Sequence, residues 1–126
     1  MPDASVLVVD DNPETLKLLE LALESEGIHV RTASSVLRAL EALHDGSLRP
    51  SVIVTDLMMP QTTGWDFLKH LRAEPSLKSV PIVVITGADA SDSEGLADVV
   101  LQKPFDPLKL AQTVRTLLIA TDATGF

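Results

Sequence analysis

Four short runs of β-branched and aliphatic residues constrain the fold more than any other feature: SVLVVD (5–10), VIVTD (52–56), VPIVVIT (80–86) and DVVLQ (98–102). They are mostly continuous rather than alternating, as expected of strands covered on both faces, and such strands belong to parallel sheets. HVRTA (29–33) is a weaker, more polar fifth strand and suits an edge. Helical patterns lie between the runs. The first has Asn12 as N-cap, Pro13 at the first helical position, Leu16, Leu19 and Leu23 on one face, and a stop at Gly27. A second follows Ser35, with Val36, Leu40 and Leu43 on one side, and ends before Asp45-Gly46. A third runs from about Gly64 through Phe67, Leu68 and Leu71 to a stop near Pro75, and a last starts near Pro107 and buries Leu108, Ala111, Val114 and Leu118. Alternating strands and helices predict an α/β doubly wound domain with right-handed crossovers. GADASDSEGLA (87–97) has no three-turn apolar face, so a loop or at most a turn or two of helix is expected there.

The 126 residues suffice for one core and not for two, so we read one domain over 1–120 and a frayed tail, TDATGF (121–126). No linker to a second domain is visible, and the opening Met1 suits a natural start. Zero cysteines exclude disulfides and thiolate metal sites. Any metal must then be held by oxygen or imidazole. No apolar run reaches the ~20 residues of a membrane span and no basic leader precedes one, so a cytoplasmic protein is expected. A net charge of -8 has the wrong sign for gathering a phosphate backbone, which argues against direct nucleic-acid binding.

In open parallel sheets ligands bind beyond the carboxyl ends of the strands. The first run ends in Asp10-Asp11, the third in Asp56 and the fourth in Thr86, and the fifth leads into Lys103-Pro104. With strand order 2-1-3-4-5 the three carboxylates converge, opposed by a single lysine. Three such groups repel by roughly 4 kcal/mol per close pair at an effective dielectric near 20, so protons or a cation must relieve them. Oxygen ligands in a partial set favour Mg²⁺, with Mn²⁺ as a substitute. A cation there also lets a carboxylate attack phosphorus, with Lys103 and the Thr86 hydroxyl holding phosphoryl oxygens.

Taken singly, each residue has a plainer reading. Asp10-Asp11-Asn12 suits a helix N-terminus, Thr86 an ordinary strand and Lys103 a solvated surface. Met58 and Met59 suit apolar loop packing, and Trp65 a partly exposed anchor. His29, His44 and His70 lie on a strand and two helices, each beside polar residues, and none is assigned a role. Joint placement at the strand ends is what points to a site.

VLVVDDN (6–12), VTDLMMPQTTG (54–64), PIVVITG (81–87) and LQKPFDPLKL (101–110) together resemble the receiver domains of bacterial response regulators, chemotaxis-regulator-like and standing alone without an output domain. The likeness covers nearly the whole chain. It implies a flavodoxin-like five-stranded fold and a phosphoacceptor at Asp56, supplied by a sensor histidine kinase or phosphotransfer protein and acting on an unidentified downstream protein. It further implies that Asp11 and Asp56 ligate Mg²⁺ with the backbone carbonyl of Met58, that Asp10 helps through water, and that Thr86 and Lys103 complete the site. Gly64 matches the family's loop glycine. The chain would then be no enzyme beyond its own phosphorylation and dephosphorylation. The alternative is a pseudo-receiver, a protein-interaction module that no longer needs phosphorylation. An aspartate-nucleophile phosphatase would want an acid two residues after Asp56, where Met58 stands, and a flavin cradle should not begin with two aspartates.

Two positions depart from the family. Its usual switch aromatic in the fifth strand is Val100 here, and the interval from Thr86 to Lys103 is short, with the missing length where the family's fourth helix, shortened or missing here, should be. A phosphate-ordered loop over 87–97 is an expected substitute for the aromatic relay. Both departures fall on the face many receivers use to dimerise. We therefore expect no symmetric dimer through that face; sedimentation with and without a phosphoryl mimic checks this, and a dimer abolished by substitutions in the last helix would contradict it.

Overall fold

The structure is a computed structural model, and the residues described are 5–45, 49–56, 64–87 and 97–124, with side chains left undescribed at 64–65 and 120–124. Five strands, β1 (Ser5–Val9), β2 (His29–Ala33), β3 (Val52–Asp56), β4 (Ile82–Thr86) and β5 (Val99–Gln102), form one parallel sheet in the order β2-β1-β3-β4-β5. Among the described residues four helices connect or follow them: α1 (Pro13–Glu24), α2 (Val36–His44), α3 (Gly64–Ala73) and α4 (Pro107–Thr124). The doubly wound sheet is as the sequence predicts. The expected short or missing helix before β5 and the 87–97 loop fall on residues 88–96, outside the described residues.

The continuous runs have a direct packing explanation. Successive side chains of a strand point to opposite faces. Val6, Val8, Val52, Val54, Val83 and Ile85 accordingly pack with Leu19 and Leu23 of α1 and Leu110, Ala111 and Val114 of α4. On the other face Leu7, Val9, Ile53, Ile82 and Val84 pack with Val36 and Ala39 of α2 and Phe67, Leu68 and Leu71 of α3. Two layers of helices thus cover one sheet.

Local signals set the ends. The Asn12 side chain accepts from the amides of Glu14 and Thr15, and the Ser35 hydroxyl accepts from Arg38 N, so both helices begin where their caps satisfy orphan donors. Past α1 the Ile28 amide donates back to the Leu23 carbonyl and Gly27 sits at φ 76°, a left-handed conformation in which a side chain costs energy. Pro81 has no amide hydrogen, and β4 begins only after it.

Two expectations are corrected. Leu108 is 54% exposed, whereas Leu110 is buried; the face of α4 that meets the sheet starts two residues later, at 110, 111 and 114. α4 runs to Thr124, just before Gly125, the first helix breaker in the sequence after Pro107. Finally, β5 is an edge strand covered on one face: Val99 and Leu101 pack on the α1/α4 side, while Val100 is 39% exposed.

A side-chain junction absent from any sequence pattern ties the α3 end of the molecule together. Arg72 donates from Nη1 to the carbonyls of Lys78 and Val80 at 2.8 and 2.9 Å, and from Nη2 to Asp98 Oδ2 at 2.8 Å. The same Asp98 oxygen accepts from Ile82 N at 2.8 Å. One guanidinium thereby positions the starts of both β4 and β5.

Phe67 is 1% exposed and is the largest fully buried side chain among the described residues. Phe67→Ala should lower unfolding free energy by about 3–5 kcal/mol, a large part of a domain's usual total. Urea titration should show this as a lower midpoint at unchanged slope.

Candidate functional site at the carboxyl ends of the strands

The sheet register builds the site. Val9 pairs with Thr55, so the next residues, Asp10 and Asp56, are carried to the same level on neighbouring strands. Asp56 pairs with Ile85 and Thr86 with Gln102, which brings Thr86 and Lys103 to adjoining positions one strand further on. Asp10, Asp56 and Thr86 are 2%, 3% and 0% exposed, and with Thr55 they are the buried polar or charged residues among those described.

Each is held by backbone contacts. The Asp10 amide donates to the Ala33 carbonyl at 3.1 Å, and its Oδ1 accepts from Asn12 N at 2.9 Å, so the turn into α1 fixes the carboxylate. The Thr55 hydroxyl donates to the Asp56 carbonyl at 3.1 Å. Lys103 N donates to the Thr86 carbonyl at 2.9 Å, and the Lys103-Pro104 bond is cis. From there the lysine reaches the carboxylate: Nζ lies 2.6 Å from Asp56 Oδ2. Gly87 has its nearest neighbour at the Lys103 side chain, where an added Cβ would make ordinary contact at 3.9 Å. Among the described residues no buried side-chain nitrogen or oxygen lacks a partner.

Electrostatics follow from this burial. Burial raises the Asp10 pKa above its ordinary 3.8; Asp56 and Asp11 add to the rise, against the Asn12 amide and Lys103, which lower it. Burial opposes the charge on Lys103, but the hydrogen bond and charge of Asp56, with Asp10 and Asp11, outweigh it and raise the ammonium pKa above 10.5. The site holds more negative charge than its lysine balances. Asp11 is exposed beside it. Among the described residues no three carboxylates or imidazoles gather closely enough to cage a metal by themselves. Met58, expected to lend its backbone carbonyl, lies outside the described residues, as does Met59. Asp10, Asp56 and Lys103, with Thr86 at the neighbouring strand end, are therefore brought together, while Arg72 and its junction with Asp98 went unnoticed in the sequence.

A parallel α/β sheet with acidic groups and a lysine at its carboxyl ends defines a class of site that handles charged groups above the sheet. The comparisons make it specific. Residues 6–115 match the response regulator receiver domain, and the chain belongs to that family. It is 34% identical to "Response regulator Rre1" of Synechocystis sp., over 96% of this chain and 54% of that protein. With "DNA-binding response regulator MtrA" of Mycolicibacterium smegmatis the identity is 36%, over 90% of this chain and 50% of that protein. The chain thus spans about half the length of these curated relatives. Among solved structures it is similar to a response regulator receiver protein from Pseudomonas putida, with 32% identity, TM-score 0.84, and 92% and 98% of the two chains covered. Chemotaxis response regulator CheY4 of Vibrio cholerae gives 30% identity and TM-score 0.78, covering 91% and 98%. Among the described residues no helix is long and apolar enough to cross a membrane.

A raised Asp10 pKa means that the folded state binds a proton more tightly than the unfolded chain. This carboxylate's contribution therefore falls as pH rises from the ordinary value of 3.8 through the raised one, and above that the ionised group is a constant burden. Without divalent cations, Asp10→Asn should melt above wild type at neutral pH, with the gap closing as pH falls toward 3.8; thermal melts in chelator across pH check this. Lys103 follows the same sign in a different window: its stabilisation is intact below 10.5 and disappears as pH rises through the raised value.

Proposed function

We propose that Asp56 accepts a phosphoryl group from a histidine kinase or phosphotransfer protein, and that this receiver signals through the resulting change of charge. The observation that carries the reading is the Lys103 ammonium on Asp56 Oδ2 at 2.6 Å, beside the buried Asp10. A buried carboxylate held at a strand end by a cation is positioned and oriented. In the reaction an Asp56 oxygen attacks phosphorus, a P–O bond forms as the donor's P–N bond breaks, and the electron pair leaves with the imidazole nitrogen. Lys103 exchanges its carboxylate contact for a phosphoryl oxygen, and the Thr86 hydroxyl supports a second. Water later cleaves the acyl phosphate.

The donor set is oxygen with a surplus of negative charge, which fits a hard cation and Mg²⁺ above all. Asp11 and Asp56 with the Met58 carbonyl would hold it, and Asp10 would assist through water. Bound there, the ion supplies neutralisation of the charge that develops on the transferring group. The regulator is no enzyme beyond this self-catalysed cycle, and its setting is cytoplasmic.

Incubation with Mg²⁺ and a small acyl phosphate should add the mass of one phosphoryl group to the wild type, while Asp56→Asn falls to background. Wild type that stays unmodified with this donor and with phosphorylated histidine kinases would instead favour the pseudo-receiver.

A further inference from the structure

The histidines that looked scattered along the sequence are not all apart. His44 is the last residue of α2, His70 lies in the final turns of α3, and their Nε2 atoms are 3.1 Å apart with ring centroids at 5.2 Å. Two neutral imidazoles meet in this way only if one donates its N–H to the lone pair of the other, and two imidazolium ions repel. The same meeting of nitrogen tips suits a shared cation. At metal–nitrogen distances of about 2.0–2.1 Å, two neighbouring ligands on one ion stand roughly 3.0–3.4 Å apart.

We propose that His44 and His70 form a two-imidazole site for a borderline divalent transition ion such as Zn²⁺ or Ni²⁺, at the end of the sheet opposite Asp56. Its placement is built into the core. His70 follows the buried Leu68 and precedes the buried Leu71, and Leu43 beside His44 packs on the same cluster, so both backbones are anchored while the ring tips reach solvent. The groove beside them is lined by Leu43, Arg49, Pro50, Leu77 and Val80, next to the amino ends of β3 and β4, which puts the pair far from the carboxyl-end aspartates. Glu74, one helical turn beyond His70, lines a groove with His44 and adds negative charge. Among the described residues no third ligand closes a cage, so water would complete the coordination. Imidazole selects against Mg²⁺, and the two sites are chemically distinct. An ion there would tie the carboxyl end of α2 to α3.

The test is a titration of untagged full-length protein with ZnCl₂ in the presence of excess Mg²⁺, read by calorimetry and by the imidazole nitrogen resonances. One ion should bind per chain, shifting the His44 and His70 signals and leaving His29 unmoved. His44→Ala and His70→Ala should each weaken binding at least about tenfold, the loss already common when only a contact supporting a metal-bound histidine is removed. His29→Ala and Asp56→Asn should bind as wild type. Absence of saturable binding, binding indifferent to both His44 and His70 substitutions, or binding lost with Asp56→Asn would each overturn the proposal. Circular dichroism of each variant separates loss of ligand from loss of fold.

Discussion

The contact between Lys103 and Asp56 is the interaction around which the molecule is arranged. A carboxylate 3% exposed at the end of a central strand is costly without a partner, and a second buried acid, Asp10, lies at the same level on the next strand. One ammonium reaches in from the far side of β4 to meet them. The pair is a poor device for stability alone, because burying charge offsets much of the attraction. What it does secure is the place of the Asp56 carboxylate at the strand end. The raised pKa values of Asp10 and Lys103 express that imbalance from opposite sides.

Positioning of this kind needs a stiff floor. The sheet is filled on both faces by separate clusters, one under α1 and α4 and one under α2 and α3, so every central strand is clamped from above and below. The edge strand β5 is covered on one face, and it carries Lys103 immediately after its last residue. Its register is secured instead by hydrogen bonds: Lys103 N to Thr86 at one end, and the Asp98 carboxylate shared by Arg72 and Ile82 N at the other. The half-covered strand is thus fixed in position while Val100 faces outward, where a switch aromatic would otherwise stand. Any message passing from Asp56 along this strand must use something other than an inward-swinging ring.

Much of this could be read before any coordinates. Continuous apolar runs announce strands buried twice over, and caps at Asn12 and Ser35 announce where helices begin, because both are local consequences of backbone donors needing partners. The strand-end residues Asp10, Asp56, Thr86 and Lys103 were legible as a set because a parallel sheet puts all its carboxyl ends on one side. Leu108 was misread since one exposed leucine and one buried leucine, two positions apart, satisfy a helical pattern almost equally well. The junction of Arg72 with Asp98 and the meeting of His44 with His70 were invisible for a different reason. Each joins residues 26 apart through side chains alone, with no spacing rule to connect them.

The sequence by itself determined the alternation of strands and helices, the parallel sheet and the family's acidic signature, since these follow from periodicity and from residue types at element ends. The tertiary structure decided which charges share a dielectric environment. It set the 2.6 Å approach of Lys103 to Asp56, the burial that raises Asp10, and the juxtaposition of two histidines from separate helices. Those are properties of distance and solvent exclusion, and neither is defined until the helices have packed on the sheet.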